Sequence, residues 1–140
     1  LPGETLRIID ANLNRIGEGL RVLEDIARLL LDDANLSQQL KDMRHELVKV
    51  DISFEERFLQ ARNSEGDVGM DLKASGEGKY KEIPATVVAN ARRVQEALRV
   101  MEEMAKNPAV PLDSDKFKRA RFKLYTVEKE LFSRLVHREA

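Results

Sequence analysis

Two stretches of this chain, 78 residues apart, keep their polar residues in register as well as their apolar ones. ANLNRIGEGLRVLEDIAR (11–28) and ANARRVQEALRVMEEMAK (89–106) are identical at nine of eighteen positions, and five more exchange like for like. Packing alone asks only the apolar residues to recur, so the polar matches mark a duplicated unit. With one residue deleted, the following segments also align, pairing Leu40 with Phe117, Arg44 with Arg121, Leu47 with Leu124, Val50 with Val127 and Arg57 with Arg134. The chain therefore reads as one helical hairpin used twice. Two hairpins with apolar stripes bury them best against each other. The expected fold is all-α: a four-helix bundle of two repeated hairpins with pseudo-two-fold symmetry, in a single domain spanning 1–140.

The boundaries follow from periodicity. Leu6, Ile9, Leu13, Ile16, Leu20, Leu23, Ala27 and Leu30 recur at steps of three and four, a long helical face. It stops at LDDANL, where Asn35 is the expected cap of the next helix with Gln38 as its capping-box partner. Leu40, Met43, Leu47, Val50, Phe54 and Phe58 continue as one second helix, so the first hairpin covers about 4–61. From about 62 to 83 the periodicity fails and four of the seven glycines gather, which gives a long Gly-rich loop. Pro84 suits the first turn of a third helix. Asp113 or Ser114 suits the cap of a fourth, closing a second hairpin over about 84–139. No segment alternates with period two, so no strand is expected.

Drawn as a wheel at about 100° per residue, the first helix has a main stripe centred between Ile9 and Leu20. A second apolar strip holds Ile8, Ala11, Gly19, Val22, Ile26 and Leu29. The polar face holds Arg7, Asp10, Asn14, Arg21, Glu24 and Arg28, and is read as solvated, as is the Arg99/Glu102 pair of the second copy. Asn12, Arg15 and Glu18 fall on the inward half, and Asn90, Arg93 and Glu96 share their phase. Buried charge is costly unless paired, so two readings stay open. One is an internal Arg–Glu network that fixes helix register; the other is an anion site in which Arg15 and Arg93 face a shared space. Arginine suits phosphate because its planar fork binds bidentately.

Other chemistry is thin. The net charge is −1 and the pI about 6.2, against the basic footprint that nucleic acid asks for. The chain has no cysteine, which excludes thiolate catalysis and Cys-ligated metals and makes a reducing cytoplasm the expected compartment. No apolar run is long enough to span a membrane. The start at Leu1 fits a trimmed piece of a longer polypeptide. GEGKY (76–80) lacks the spacing and the Ser/Thr of a phosphate loop. Asp67 and Asp71 flank Gly69 and suit either turns or Mg²⁺. His45 lies off the core stripe beside Arg44. Arg44, Arg57, Arg121 and Arg134 flank their stripes and read as snorkelling cations.

The blocks IIDANLNRIGEGLRVLEDIARLLLDD, LKDMRHEL, ARNSEGDVG, VVANARRVQEALRVMEE and RFKLYTVEKEL, in that order, resemble the hydroxymethylpyrimidine phosphate kinase family. This is the all-helical domain often fused ahead of thiamine phosphate synthase in bacteria and also found alone. The resemblance runs from about Leu6 to Leu135. It implies ATP-dependent phosphorylation of the pyrimidine monophosphate to the diphosphate in thiamine biosynthesis, with ATP and Mg²⁺ as cofactors. On the inward and loop positions that match its motifs, the expected mechanism has Arg15 and Arg93 as the catalytic phosphate clamp, with Asn12 and Asn90 orienting the phosphates or the pyrimidine edge. Glu18 and Glu96 stand beside them, Arg44 and His45 act as added donors, Arg62 as a loop contact to phosphate and Asp67 as the Mg²⁺ ligand. The family stretch commonly reads Arg-Asp where this chain has Arg62-Asn63, which puts a metal role for that second position in doubt. Two rival expectations are a non-catalytic module that dimerises or tethers thiamine phosphate synthase, and a sensor of the pyrimidine phosphate. The dimer would bury the strip of Val22, Ile26 and Leu29.

Overall fold

The computed structural model describes residues 1–50, 52–72 and 82–139, and among them the regular structure is entirely helical. The order is α1 (Gly3–Asp25), which runs on into a π-helical turn (Ile26–Leu30), then α2 (Ala34–Val48) and α3 (Ile52–Ala61). A 3₁₀ turn (Val68–Asp71), α4 (Ile83–Met104) and α5 (Ser114–Glu139) follow. The helix expected over 35–61 is thus two helices, with Lys49 leaving α2 in extended backbone (ψ 116°). The break was hidden because the apolar period runs through it: Leu47, Phe54 and Phe58 are all buried.

α1 packs along both α2 and α4, α4 along α5, and α3 folds back on α1, whereas α2 and α5 touch only lightly. The two repeated helices α1 and α4 therefore form the centre of the molecule. Ile9, Ile16, Leu20 and Leu23 from one side meet Val87, Ala91, Val94, Leu98 and Met101 from the other, all fully buried. The crossing is close at Gly19, where an added Cβ would collide with Val94 Cγ2 and stand 3.2 Å from the carbonyl oxygen of Asn90.

The caps differ from expectation at one point. Asp33, not Asn35, caps α2, its Oδ1 accepting from Leu36 N at 2.9 Å. Gln38 does not reach back as a capping box but donates forward to Asp42 at 2.7 Å. Pro84 does open α4 and Asp113 does cap α5, accepting from Asp115 N at 3.0 Å. Asp33 also accepts from Arg134, which ties the start of α2 to the far half of α5.

Candidate functional site

Asn12 is the pivot of the site. It is buried on α1 (4% exposed), its amide nitrogen donates to the Ile8 carbonyl at 2.8 Å, and its oxygen is left to accept Arg15 Nη1 at 3.1 Å. Arg15 is thereby aimed from a rigid helix into a cleft of about 700 Å³ between α1 and α4. Asn12, Arg15 and Glu18 line one side; Arg92, Arg93, Glu96, Ala97 and others line the other. Of the two readings left open by the sequence, the internal Arg–Glu network is not formed. Arg15, Arg93, Glu18 and Glu96 are exposed, and among the described residues none of them makes an ion pair. Three guanidinium groups and two carboxylates face one open space with their charges unspent.

Arg92 was missed in the sequence. Its counterpart in the first copy is Asn14, so a search for repeated polar residues passed it over. The signal available was the adjacent pair Arg92-Arg93.

The remaining sequence candidates lie elsewhere. Asn90 donates to the Thr86 carbonyl at 2.9 Å and is not among the residues lining the arginine cleft. Arg44 is half-buried against Glu24, donating from Nε and Nη2 to Oε1 at 3.1 Å each, and His45 is exposed beside it. Arg62 grips Asp10 with both arms of its fork, at 2.9 and 2.8 Å, and this hydrogen-bonded carboxylate raises its pKa. Asp67 shares a smaller cleft with Arg62 on another flank of α1, and its Oδ1 accepts from Gly69 N at 2.8 Å. Asn63 caps the same loop, accepting from Gly66 N at 2.9 Å. The oxygen of an Asp could accept in the same place, so the departure from Arg-Asp leaves the turn intact. GEGKY (76–80) lies outside the described residues.

The wheel erred on its polar face. Asp10 and Glu24 are buried, as is Glu102, and each is held by an arginine from another segment: Arg62, Arg44 and Arg121. Arg44, Arg121 and Arg134 are accordingly partners in ion pairs with Glu24, Glu102 and Asp33 rather than snorkelling cations. The hydrogen bonds from Arg121, with Arg99 adding to them, hold the Glu102 carboxyl below the usual range, and Arg121 is raised in turn.

A family model, described as the ThiD2 family, matches residues 7–130. The chain belongs to that family. Curated relatives of this family member include the thiamine-phosphate synthase of Rhodopirellula baltica, 42% identical over 72% of this chain and 27% of that protein. A Synechococcus thiamine-phosphate synthase is 42% identical over 87% of this chain and 33% of its own length. A Synechocystis one is 36% identical over 98% and 39%. The chain thus spans about a third of the length of the relatives it matches. No solved structure matches it. Among the described residues no helix is long and apolar enough to cross a membrane.

Proposed function

We propose that this domain works in thiamine biosynthesis as an ATP-dependent kinase that converts hydroxymethylpyrimidine phosphate to its diphosphate. The observation that carries the reading is the cleft where Arg15, Arg92 and Arg93 converge with no carboxylate bound to any of them inside it. Family membership and relatives named thiamine-phosphate synthase support the pathway. In this reaction an oxygen of the acceptor's phosphate attacks the γ-phosphorus of ATP. The bond from γ-phosphorus to the bridging oxygen breaks, and ADP leaves with that electron pair. The attacking oxygen is already anionic, so the protein's task is to gather like charges and stabilise those that spread in the transition state. Arg15, held by Asn12, and Arg93 serve as that clamp, with Arg92 beside them. In this reading Arg15 and Arg93, equivalent positions of the sequence repeat, reach the same cleft from α1 and α4.

No group of three metal-ligating side chains gathers among the described residues, and the Asp67 carboxylate already holds its own turn. Mg²⁺ enters this reading as part of the nucleotide substrate, with Asp67→Asn testing any further role through the Mg²⁺ dependence of the rate. The deciding assay is ADP release coupled to pyrimidine diphosphate formation by the parent, Arg15→Ala and Arg93→Ala. Each substitution is expected to lower kcat/KM about a hundredfold. Folded variants that turn over like the parent would rule out the clamp.

A second reading, a docking module for a thiamine-phosphate synthase domain, draws on one observation. Phe122, Tyr125, Phe132 and Val136 of α5 all stand exposed. The strip of Val22, Ile26 and Leu29 supports a dimer less, since Ile26 is buried, Val22 half-buried and only Leu29 exposed.

A further inference from the structure

The first hairpin holds another cleft, of about 530 Å³, between α1, α2 and α3. Leu13, Val22, Val48 and Phe58 give it apolar walls. The corresponding position in the second hairpin is filled. The residue 78 positions beyond Gly17 is Gln95, which is buried and donates to Glu128 Oε1 at 2.8 Å. At Gly17 a Cβ would stand 3.3 Å from Val48 Cγ1, so a side chain there must enter the cleft. Glycine within a helix is destabilising relative to almost any other residue, and here its lack of a side chain keeps a space open that the sister repeat closes.

Most charges of this cleft are paired: Asp10 is held by Arg62, Arg44 by Glu24, and Arg21 stands 3.9 Å from Asp25. Glu18 and Glu55 make no hydrogen bond or ion pair among the described residues, and of the two only Glu18 also lines the arginine cleft. Apolar walls suit a flat ring, and a free carboxylate at the rim accepts from an amino group.

We propose that this cleft binds a flat heteroaromatic ring bearing an amino group beside a ring nitrogen, with Gly17 keeping it open and Glu18 accepting from the amino group. The inference rests on the proposed function only in setting the ligand's phosphates in the adjoining arginine cleft. A nucleobase and a free substituted pyrimidine share this chemistry, so two uncharged probes separate them: adenosine and 4-amino-5-hydroxymethyl-2-methylpyrimidine.

The test is calorimetric titration of each probe, and separately of pyrophosphate, into the parent, Gly17→Gln, Glu18→Ala and the Arg15→Ala/Arg93→Ala double variant. One probe is expected to bind the parent. Gly17→Gln, which gives the first hairpin the residue the second already has, should weaken it at least tenfold. Glu18→Ala, at an exposed position that leaves the fold intact, should weaken it about tenfold. Both should keep pyrophosphate binding within threefold, and the double arginine variant should show the reverse pattern. If neither probe binds the parent, or if Gly17→Gln and Glu18→Ala bind the probe as the parent does, the ring site is overturned. Ring binding that survives while pyrophosphate fails to bind even the parent would overturn the arginine clamp and leave the ring site standing.

Discussion

The two hairpins bury the same ion pair in different ways. In the second, Glu102 is 2% exposed and uses both oxygens: Oε2 accepts from Arg121 Nε at 2.5 Å and Oε1 from Arg121 Nη2 at 3.0 Å. Arg99 adds a third contact to Oε1 at 3.4 Å. In the first, Glu24 receives both arms of Arg44 on the single oxygen Oε1. Arg21, the counterpart of Arg99, turns instead toward Asp25 at 3.9 Å. Arg44 also borders the cleft that Gly17 keeps open. The lesson is that duplication preserved the clamp but not its tightness. Among the described residues, the clamp that lines no cleft closed around its carboxylate, and the clamp beside an open space did not.

The sharpest way to break this comparison is to remove each arginine. Arg121→Ala leaves Glu102 charged, buried and short of its fork, and is expected to cost about 3–5 kcal/mol. Arg44→Ala should cost less, about 2 kcal/mol, because water in the adjoining cleft can reach the abandoned oxygen. Urea denaturation measures both. An equal or larger loss for Arg44→Ala would mean the two clamps do not differ as described.

A smaller effect is expected where the central helices cross. Gly19→Ala drives a Cβ into Val94 and should cost about 1–3 kcal/mol by overpacking. Its repeat mate is already alanine and buried, so Ala97→Gly should cost about 1 kcal/mol through helix propensity, plus a little lost contact. Thermal melts of the two variants give the order. A Gly19→Ala protein as stable as the parent would show that α1 and α4 are free to part slightly.

Much of this was legible before any coordinates, and the failures have a common cause. The helical class, Pro84 and the cap at Asp113 follow from patterns local to one segment, and the repeat from aligning two. The identity of Glu24 with Glu102, and of Arg44 with Arg121, was also visible. Taken together those two matches were the signature of a duplicated ion pair. A single-helix wheel assigned the acids to solvent because it carries no information about the arginine arriving from the next helix. The break at Lys49 was hidden for the converse reason, since tertiary packing kept the apolar phase of Phe54 and Phe58 across it. In the candidate site, Asn12, Arg15, Glu18, Arg93 and Glu96 were found because both copies keep them. Arg92 was not, because its counterpart is Asn14, and the Gly17–Gln95 difference was passed over for the same reason: a search for repeated residues does not see positions where the copies differ.

The smallest expected effect is one of pH, and it isolates the tighter clamp. The hydrogen bonds from Arg121 lower the Glu102 pKa first and foremost; burial opposes them and the charges of Arg121 and Arg99 assist. The native state therefore releases this proton more readily than the unfolded chain, whose carboxyl keeps an ordinary value near 4.5. Between the depressed native pKa and that ordinary value the unfolded chain binds more protons, so stability rises with pH. The contribution is fully present above about pH 4.5 and is lost as pH falls through the native pKa. Glu103, which Lys106 also holds low, would steepen the same acid limb, so the parent's slope alone cannot be assigned. The informative quantity is the stability gap between the parent and Glu102→Gln, since the Glu103 share remains in both. That gap should be constant from pH 5 to 7 and narrow below about pH 4.5. A gap that stays level down to pH 3 would mean that the carboxylate's charge contributes nothing to the clamp around Glu102, and would overturn the account of it as the tighter one.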